Sequence, residues 1–247
     1  MPRLVLASSS PRRIELLKLL VADFLTATSD VEETGSDLLP GYSLHPNPED
    51  IDPNMEPGLL ARHTASLQIP NELDPALWAW RKAMDVAGRA TASDQDPVTL
   101  GADTVVVNEG TLLGKPSDRE HAVDMLRSLR GRMHFVFTGY AVVVLTRGGT
   151  IRTRSVGMGM SSVWMRNYSD EELKGYVATD EPLDKAGAYA VQGLGGALVE
   201  RVEGCYRNVV GLPLCAVREA LADAGVEVLP YPEGGYCPGC KYVNGQG

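Results

Sequence analysis

Hydrophobic and polar positions follow two different spacings along the chain. Continuous or alternating apolar runs, typical of strands, occur in LVLA, DFLTATSDVEETG, PVTLGADTVVVNEGTLLGKP, MHFVFTGYAVVVLT and TIRTRSVGMGMSSVWM. Apolar residues at helical spacing occur in RRIELLKLL, WAWRKAMDVAGRA, SDREHAVDMLRSLRGR, SDEELKGYVAT and LPLCAVREALADAG. The segment YAVQGLGGALVERVEG is predicted to form two strands around a glycine turn. This mixture predicts an α/β or α+β fold with some antiparallel pairing rather than a pure βαβ repeat.

Three local signals refine this pattern. Residues 34–77 carry many prolines and little periodicity, which predicts a long loop or insertion with at most one short helix. The helix that begins near residue 117 has Ser117 as its predicted N-cap, with Glu120 three residues later as the capping-box partner. A hairpin turn is predicted from Arg147 to Gly149.

Composition restricts the class of protein. With 247 residues, 44% of them hydrophobic, the chain can bury one sizeable core or a core divided between two lobes. A net charge of -9 argues against nucleic-acid or membrane-surface binding, because both need basic surface. No apolar run approaches the roughly 20 residues of a membrane span, and no signal peptide is recognisable, so a cytoplasmic protein is expected.

The turn after the first predicted strand contains a candidate anion site. Pro11 suits the first position of a helix and Ser10 can cap it, which leaves backbone N–H groups facing whatever lies in front. Arg12 and Arg13 add guanidinium groups that match phosphate oxygens. The alternative is a capped surface helix with two solvated arginines.

An acidic residue within a buried strand is costly unless it is paired or binds metal. Asp103, between LGA and TVVV, is therefore a candidate catalytic or metal-binding carboxylate, the alternative being a carboxylate that caps a turn. Glu32 and Glu33 offer further oxygen ligands for Mg²⁺. Gln192, in a glycine-rich stretch, has the donor and acceptor needed to recognise a base edge.

The cysteines give little guidance. Two of the four, Cys237 and Cys240, form a CPGC motif that fits half of a zinc site, a redox pair or a flexible tail equally well. No second CxxC accompanies it, and the motif is left unassigned.

Several motifs together resemble the Maf family of nucleoside triphosphate pyrophosphatases. They are LASSSPRRIELL, VEE, RKA, GADTVV, LGKP, TGYAVV and DEPLDKAGAYAVQGLGGALVERVEGCYRNVVGLPL. The last block is similar to the subgroup acting on dTTP and UTP. The resemblance implies a family domain over residues 1–229 with the insertion at 34–77, and a flexible tail at 230–247. The implied fold is an elongated mixed sheet flanked by helices, with a nucleotide cleft between two lobes, as in inosine triphosphatases.

The resemblance also implies an activity. It is hydrolysis of dTTP and UTP, and of modified pyrimidine nucleotides, between the α and β phosphates, with a divalent cation, Mg²⁺ or Mn²⁺. The implied assembly is a homodimer, with no nucleic-acid or membrane partner. The alternatives are the same chemistry on a modified purine nucleotide, or a non-catalytic nucleotide sensor that regulates cell division.

Functional positions carry over residue by residue onto matching motifs. The implied catalytic residues are Asp103 as proton acceptor, Glu33 and Lys115, with Asp103 and Glu33 holding the metal. The implied substrate-binding residues are Ser8, Ser10, Arg12, Arg13, Lys82, Thr104 and Gln192. Among these, Arg12, Thr104 and Gln192 match positions associated with substrate choice.

Overall fold

The computed structural model describes residues 2–31, 74–90, 96–230 and Pro232. The described strands are β1 (Leu4–Leu6), β2 (Leu25–Thr26), β3 (Val98–Asn108), β4 (Thr111–Leu113), β5 (Met133–Leu145), β6 (Ile151–Met165) and β7 (Val199–Gly204). The described α-helices are α1 (Pro11–Leu17), α2 (Pro75–Ala90), α3 (Arg119–Leu129), α4 (Asp170–Val177), α5 (Tyr206–Val210) and α6 (Leu214–Asp223). Short 3₁₀ helices cover Glu181–Asp184, Ala186–Ala188 and Leu194–Leu198.

The strands form a mixed seven-stranded sheet in the order β2-β1-β3-β5-β6-β7, with β4 paired to β3 off this path. Strand β1 is parallel to both β2 and β3, whereas β4 and β7 are antiparallel to β3 and β6. Between β5 and β6 the chain turns tightly, and Thr146 N donates to Thr150 O at 2.9 Å. The mixed α/β class and the hairpin turn are therefore confirmed.

The chain divides into two compact units, each with its own core. Unit 1 is drawn from Met1–Asp103, Gly139–Met158 and Leu212–Tyr231, and unit 2 includes Thr104–Thr138 and Gly159–Gly211. In unit 1, small and apolar side chains of α2 pack on those of β5: Ala79, Ala83, Met84 and Ala87 against Ala141, Val143 and Leu145. In unit 2, apolar residues of α3 and α4 form a cluster with buried side chains of β3, β5 and β6.

Helix α2 lies very close to the sheet of unit 1 at two glycines. A Cβ atom on Gly101 of β3 would stand 2.0 Å from Ala79 O, and one on Gly139 of β5 would stand 2.2 Å from the backbone of Pro75. Both distances are far below contact distance, and the obstructing atoms are backbone atoms that no side-chain rotation can move. Glycine at these positions therefore sets how close α2 comes to β3 and β5.

The prediction that residues 34–77 form a loop is wrong at its end. Residues 75–77 belong to α2, and Asp74 Oδ1 accepts a hydrogen bond from Ala76 N at 2.8 Å. Proline is typical of loops, but Pro75 occupies the first helical position, where its missing N–H is not needed. The remainder, 34–73, lies outside the described residues.

Two further local predictions are corrected. Asp118, not Ser117, is the N-cap of α3, and its Oδ1 accepts from His121 N at 2.8 Å. Ser117 Oγ instead donates to Asp118 Oδ2. In 189–204 only β7 is a strand, because the glycine-rich residues before it form a turn and a 3₁₀ helix.

None of the described helices is long and apolar enough to cross a membrane.

We predict that Gly101→Ala lowers the free energy of unfolding by at least about 1–3 kcal/mol, because the added methyl group meets the backbone of α2. Urea denaturation of the full chain measures the change. Gly88→Ala, in α2 itself, is the control, since a Cβ there meets nothing within 4 Å. It should stabilise the chain by about 0.5–1 kcal/mol through helix propensity. Equal stability of both variants would contradict the close approach.

Candidate functional site

The chain leaves β1 through a short segment that contains the predicted serines and leads into α1, whose first turn carries the predicted arginines. Ser8 is buried, and its Oγ accepts a hydrogen bond from Ser10 N at 3.2 Å. Ser10 occupies the N-cap position of α1, but its side chain makes no capping hydrogen bond, contrary to the prediction. Pro11 occupies the first helical position as predicted. Arg12 and Arg13 follow, both partly buried and both engaged in contacts.

Strand pairing places this turn next to the part of β3 that carries Asp103. Leu6 pairs with Leu100 in the parallel register, and Ala7 N donates to Leu100 O at 2.8 Å. Beyond these residues, β1 ends and turns through Ser8, while β3 continues through Gly101 to Asp103. The carboxyl end of a parallel strand is a common location for ligand sites in α/β sheets.

Asp103 forms an ion pair with Lys82 of α2. Lys82 Nζ donates to Asp103 Oδ1 at 2.6 Å, and only 12% and 13% of the two side chains is exposed. Gly101 lies two residues before Asp103, so both face the same side of β3, where α2 approaches most closely. Either charge alone would be costly at this depth, and each compensates the other. The structure thus brings together Lys82 and Asp103, which are 21 residues apart in sequence.

The metal prediction rests on Asp103 and Glu33. Glu33 lies outside the described residues, as do Glu32, Cys237 and Cys240. Within the part of the chain that the structure describes, no group of three or more His, Cys, Asp or Glu side chains is placed to hold a metal ion. Asp103 supplies a hard carboxylate, which suits a Mg²⁺ ion bound by one or two carboxylates together with substrate phosphates.

Thr104, the next residue of β3, belongs to a buried polar network in unit 2. Thr104 Oγ1 lies 3.0 Å from Thr138 Oγ1, and Thr138 Oγ1 donates to Asn208 O at 2.8 Å. The fully buried Asn208 side chain donates through Nδ2 to Val136 O and to Ser161 Oγ, both at 3.0 Å. Thr104 is therefore linked through the Thr138 side chain of β5 to the backbone of Asn208 in α5.

The sequence patterns did not predict the roles of Thr138 and Asn208. Both lie in motifs that carried the family resemblance, TGYAVV and CYRNVVGLPL. A single threonine or asparagine has no spacing signal, and the network forms only when β3, β5 and α5 come together. Membership of these two motifs is the signal that could have indicated a role for Thr138 and Asn208.

Lys115 and Gln192 lie on loops of unit 2. Lys115 is exposed after β4, and the preceding Gly114 O accepts from Gly187 N at 3.1 Å, which joins this loop to the AGA segment. Gln192 is exposed in the turn that precedes the 3₁₀ helix Leu194–Leu198.

A buried histidine supports the segment before Gln192. Tyr189 Oη lies 2.8 Å from His134 Nε2, and both residues are buried. Burial lowers the pKa of His134 to about 4, so the imidazole is neutral at physiological pH. This pair anchors the end of the KAGAY segment to β5.

Comparison with known proteins gives a consistent result. Residues 3–224 match the family model described as Maf-like protein. A dTTP/UTP pyrophosphatase from Pelotomaculum thermopropionicum is 41% identical over 229 residues, covering 93% of this chain and all of the relative. Proteins of the same name from Caldicellulosiruptor saccharolyticus and Geobacter metallireducens are 39% and 40% identical, covering 93% and 90% of this chain and 98% and 96% of the relatives.

We predict that Lys82 and Asp103 are energetically coupled. In a double-mutant cycle with Lys82→Met and Asp103→Asn, urea denaturation should give a coupling free energy of about 0.5–3 kcal/mol, because each single variant removes one charge of a pair that is largely shielded from solvent. The matched control is the exposed pair Arg119–Asp180, tested with Arg119→Met and Asp180→Asn. Solvent screens that pair, so its coupling should be smaller. Additive effects of Lys82→Met and Asp103→Asn would show that the ion pair does not form in solution.

Proposed function

Because the chain belongs to the Maf family, we propose that it is a nucleoside triphosphate pyrophosphatase that hydrolyses dTTP and UTP. The products are the nucleoside monophosphate and pyrophosphate. The observation that carries the proposal is the Lys82–Asp103 ion pair at 2.6 Å. It lies beside the segment after β1 that contains Ser8 and Ser10 and leads into Arg12 and Arg13. This arrangement combines a positioned carboxylate with groups suited to bind phosphate.

Asp103 has the features of a proton acceptor for an attacking water. Lys82 Nζ fixes the orientation of Asp103 Oδ1 through the 2.6 Å contact, and 13% of the carboxylate side chain is exposed. In the proposed reaction, Asp103 orients this water and accepts its proton as the oxygen attacks the α phosphorus. Lys82 thus serves the reaction through Asp103 as well as through its own charge near the phosphates.

The turn after β1 supplies the proposed triphosphate contacts. Arg12 and Arg13 carry the positive charge, and Ser8 and Ser10 offer hydroxyl groups in a shape fixed by the hydrogen bond from Ser10 N to Ser8 Oγ. Both arginines are partly buried, which strengthens their interaction with an anion relative to a fully solvated position. These groups would stabilise the charge that develops on the pyrophosphate leaving group.

A divalent cation, Mg²⁺ or Mn²⁺, would be held by Asp103 and, in the proposal, by Glu33. When bound, it would neutralise charge on the phosphate oxygens. Lys115 is proposed as a further catalytic cation, and Thr104 and Gln192 as residues of substrate choice. We further propose that the protein is a homodimer and acts in the cytoplasm.

We predict that pure protein releases pyrophosphate from dTTP and UTP in the presence of Mg²⁺ or Mn²⁺. Asp103→Asn should reduce kcat by about 10²–10⁴-fold, the usual range for loss of a general base. A pyrophosphate assay over canonical and modified nucleoside triphosphates measures both results. The panel also separates pyrimidine specificity from the same chemistry on a modified purine nucleotide.

The control for Asp103→Asn is Asp118→Asn. Asn keeps the capping function of Asp118 at the start of α3, so this variant should retain wild-type turnover. If no nucleotide is hydrolysed by the wild-type protein although nucleotides bind, the chain is a nucleotide sensor and the enzymatic proposal is wrong.

We predict that Gln192→Ala weakens the preference for dTTP and UTP over other nucleoside triphosphates, because it removes an amide able to pair with a base edge. Comparison of kcat/KM across the panel measures the preference. Gln192 is exposed, so the substitution should leave the unfolding free energy nearly unchanged. An unaltered preference would remove Gln192 from the set of residues that recognise the base.

A further inference from the structure

Two side chains bind the backbone on both sides of Gln192. Glu181 Oε2 accepts from Leu194 N at 3.1 Å, and Glu181 Oε1 accepts from Gly195 N at 3.0 Å. On the other side, Tyr176 Oη accepts from Ala190 N at 3.1 Å. The turn that carries Gln192 is thus held before and after that residue.

Glu181 and Tyr176 are also bonded to each other. Tyr176 Oη donates to Glu181 Oε1 at 3.0 Å. The same hydroxyl therefore accepts a hydrogen bond from Ala190 N and donates one to the carboxylate. The two side chains therefore act as one unit, which we call the Tyr176–Glu181 clamp. Both belong to unit 2, as does the turn they hold.

The glycines around Gln192 make room for the clamp. A Cβ on Gly193 would stand 2.5 Å from Glu181 Oε2, and a Cβ on Gly195 would stand 2.5 Å from Tyr176 Oη. Neither glycine has a positive φ, so backbone conformation does not demand glycine at either position. The glycine-rich character of QGLGG is explained in part by the close fit of these two side chains.

The carboxylate of Glu181 is stabilised in its charged form. Burial alone would raise the pKa of Glu181, but hydrogen bonds from Gly195, Leu194 and Tyr176 outweigh that effect and lower the pKa below its usual value. Glu181 is thus ionised at neutral pH, and its hydrogen bonds to the turn are charge-assisted, which makes them stronger than neutral ones.

We infer that Glu181, supported by Tyr176, is a positioning residue that sets substrate choice by fixing the turn of Gln192. The inference rests on the proposed function, in which the Gln192 amide recognises the base. Glutamine is long and flexible, so its amide can discriminate between bases only if its backbone is held in place. Uracil and cytosine differ in the donors and acceptors on their edges, which is the difference a positioned amide can detect.

The test uses Glu181→Gln and Tyr176→Phe, each made in the wild-type protein and in Gln192→Ala. The measured quantity is the ratio of kcat/KM for UTP to that for CTP. In the wild-type background, Glu181→Gln should lower this ratio at least fivefold. The substitution replaces one carboxylate oxygen by an NH₂ group, which cannot accept the hydrogen bond that Leu194 N donates to Glu181 Oε2. Tyr176→Phe should lower the ratio in the same direction, since it removes the hydroxyl that joins Ala190 to Glu181.

The Gln192→Ala background distinguishes positioning from general destabilisation. If the clamp acts through Gln192, neither clamp substitution should change the ratio once Gln192 is absent. A change of equal size in both backgrounds, or no change in the wild-type background, would overturn the inference. Amide hydrogen exchange of Leu194 and Gly195 gives a second reading, because both amides should exchange faster in Glu181→Gln.

Glu172→Gln is the matched control. Glu172 also accepts a backbone N–H, from Ser169 at 2.9 Å, and its pKa is also lowered by that bond, but it lies at the start of α4 and does not contact the turn. Its substitution should lower stability without moving the UTP to CTP ratio.

Different results would contradict the proposed enzymatic activity and the positioning role of Glu181. Absence of UTP and dTTP hydrolysis by the wild-type protein would contradict the proposed function. The same variants would then be compared by calorimetric binding of UMP and CMP, where an unchanged affinity ratio in Glu181→Gln would overturn the positioning role by itself.

Discussion

The close approach of α2 to β3 at Gly101 is the constraint on which the candidate site depends. Helix backbones normally stay at a distance set by the side chains between them and the sheet. Here the absence of a side chain at Gly101 brings Ala79 O into direct contact with the strand, and one turn along the helix Lys82 reaches Asp103. A larger separation would leave a buried carboxylate without its cation. The geometry of the site is thus established by backbone packing before any substrate is present.

The sequence predicted most of the fold because most elements carry strong periodic signals. β3, β5, β6, α4 and α6 lie where their patterns placed them. Prediction from the sequence failed where the same residue type occurs in two kinds of structure. Proline is common in loops, but Pro75 begins a helix. Glycines are common in hairpin turns, but the glycines after Gln192 accommodate two side chains. Neighbouring residues in sequence do not distinguish these cases, since the deciding contacts come from elsewhere in the chain.

The residues of the candidate site were likewise predicted only in part from the sequence. Asp103 stood out because a carboxylate within an apolar strand is costly, and its partner Lys82 was known only by resemblance, since nothing in RKA indicates which acid it meets. Glu181, although it lies within a recognised motif, has no sequence signal that indicates its role. A glutamate at the start of a short 3₁₀ helix is an ordinary surface residue until Leu194 and Gly195 point their amides at it.

The hydrogen bonds around Thr104 run in one direction. A backbone carbonyl has no proton to give, so Thr138 must donate to Asn208 O, and the only proton left for the contact with Thr104 is that of Thr104 itself. The hydroxyl of Thr104 consequently presents lone pairs to any further group and attracts N–H or O–H donors in preference to carbonyl oxygens. The chemical polarity of this partly buried position is dictated by a main-chain atom more than 100 residues further along the chain.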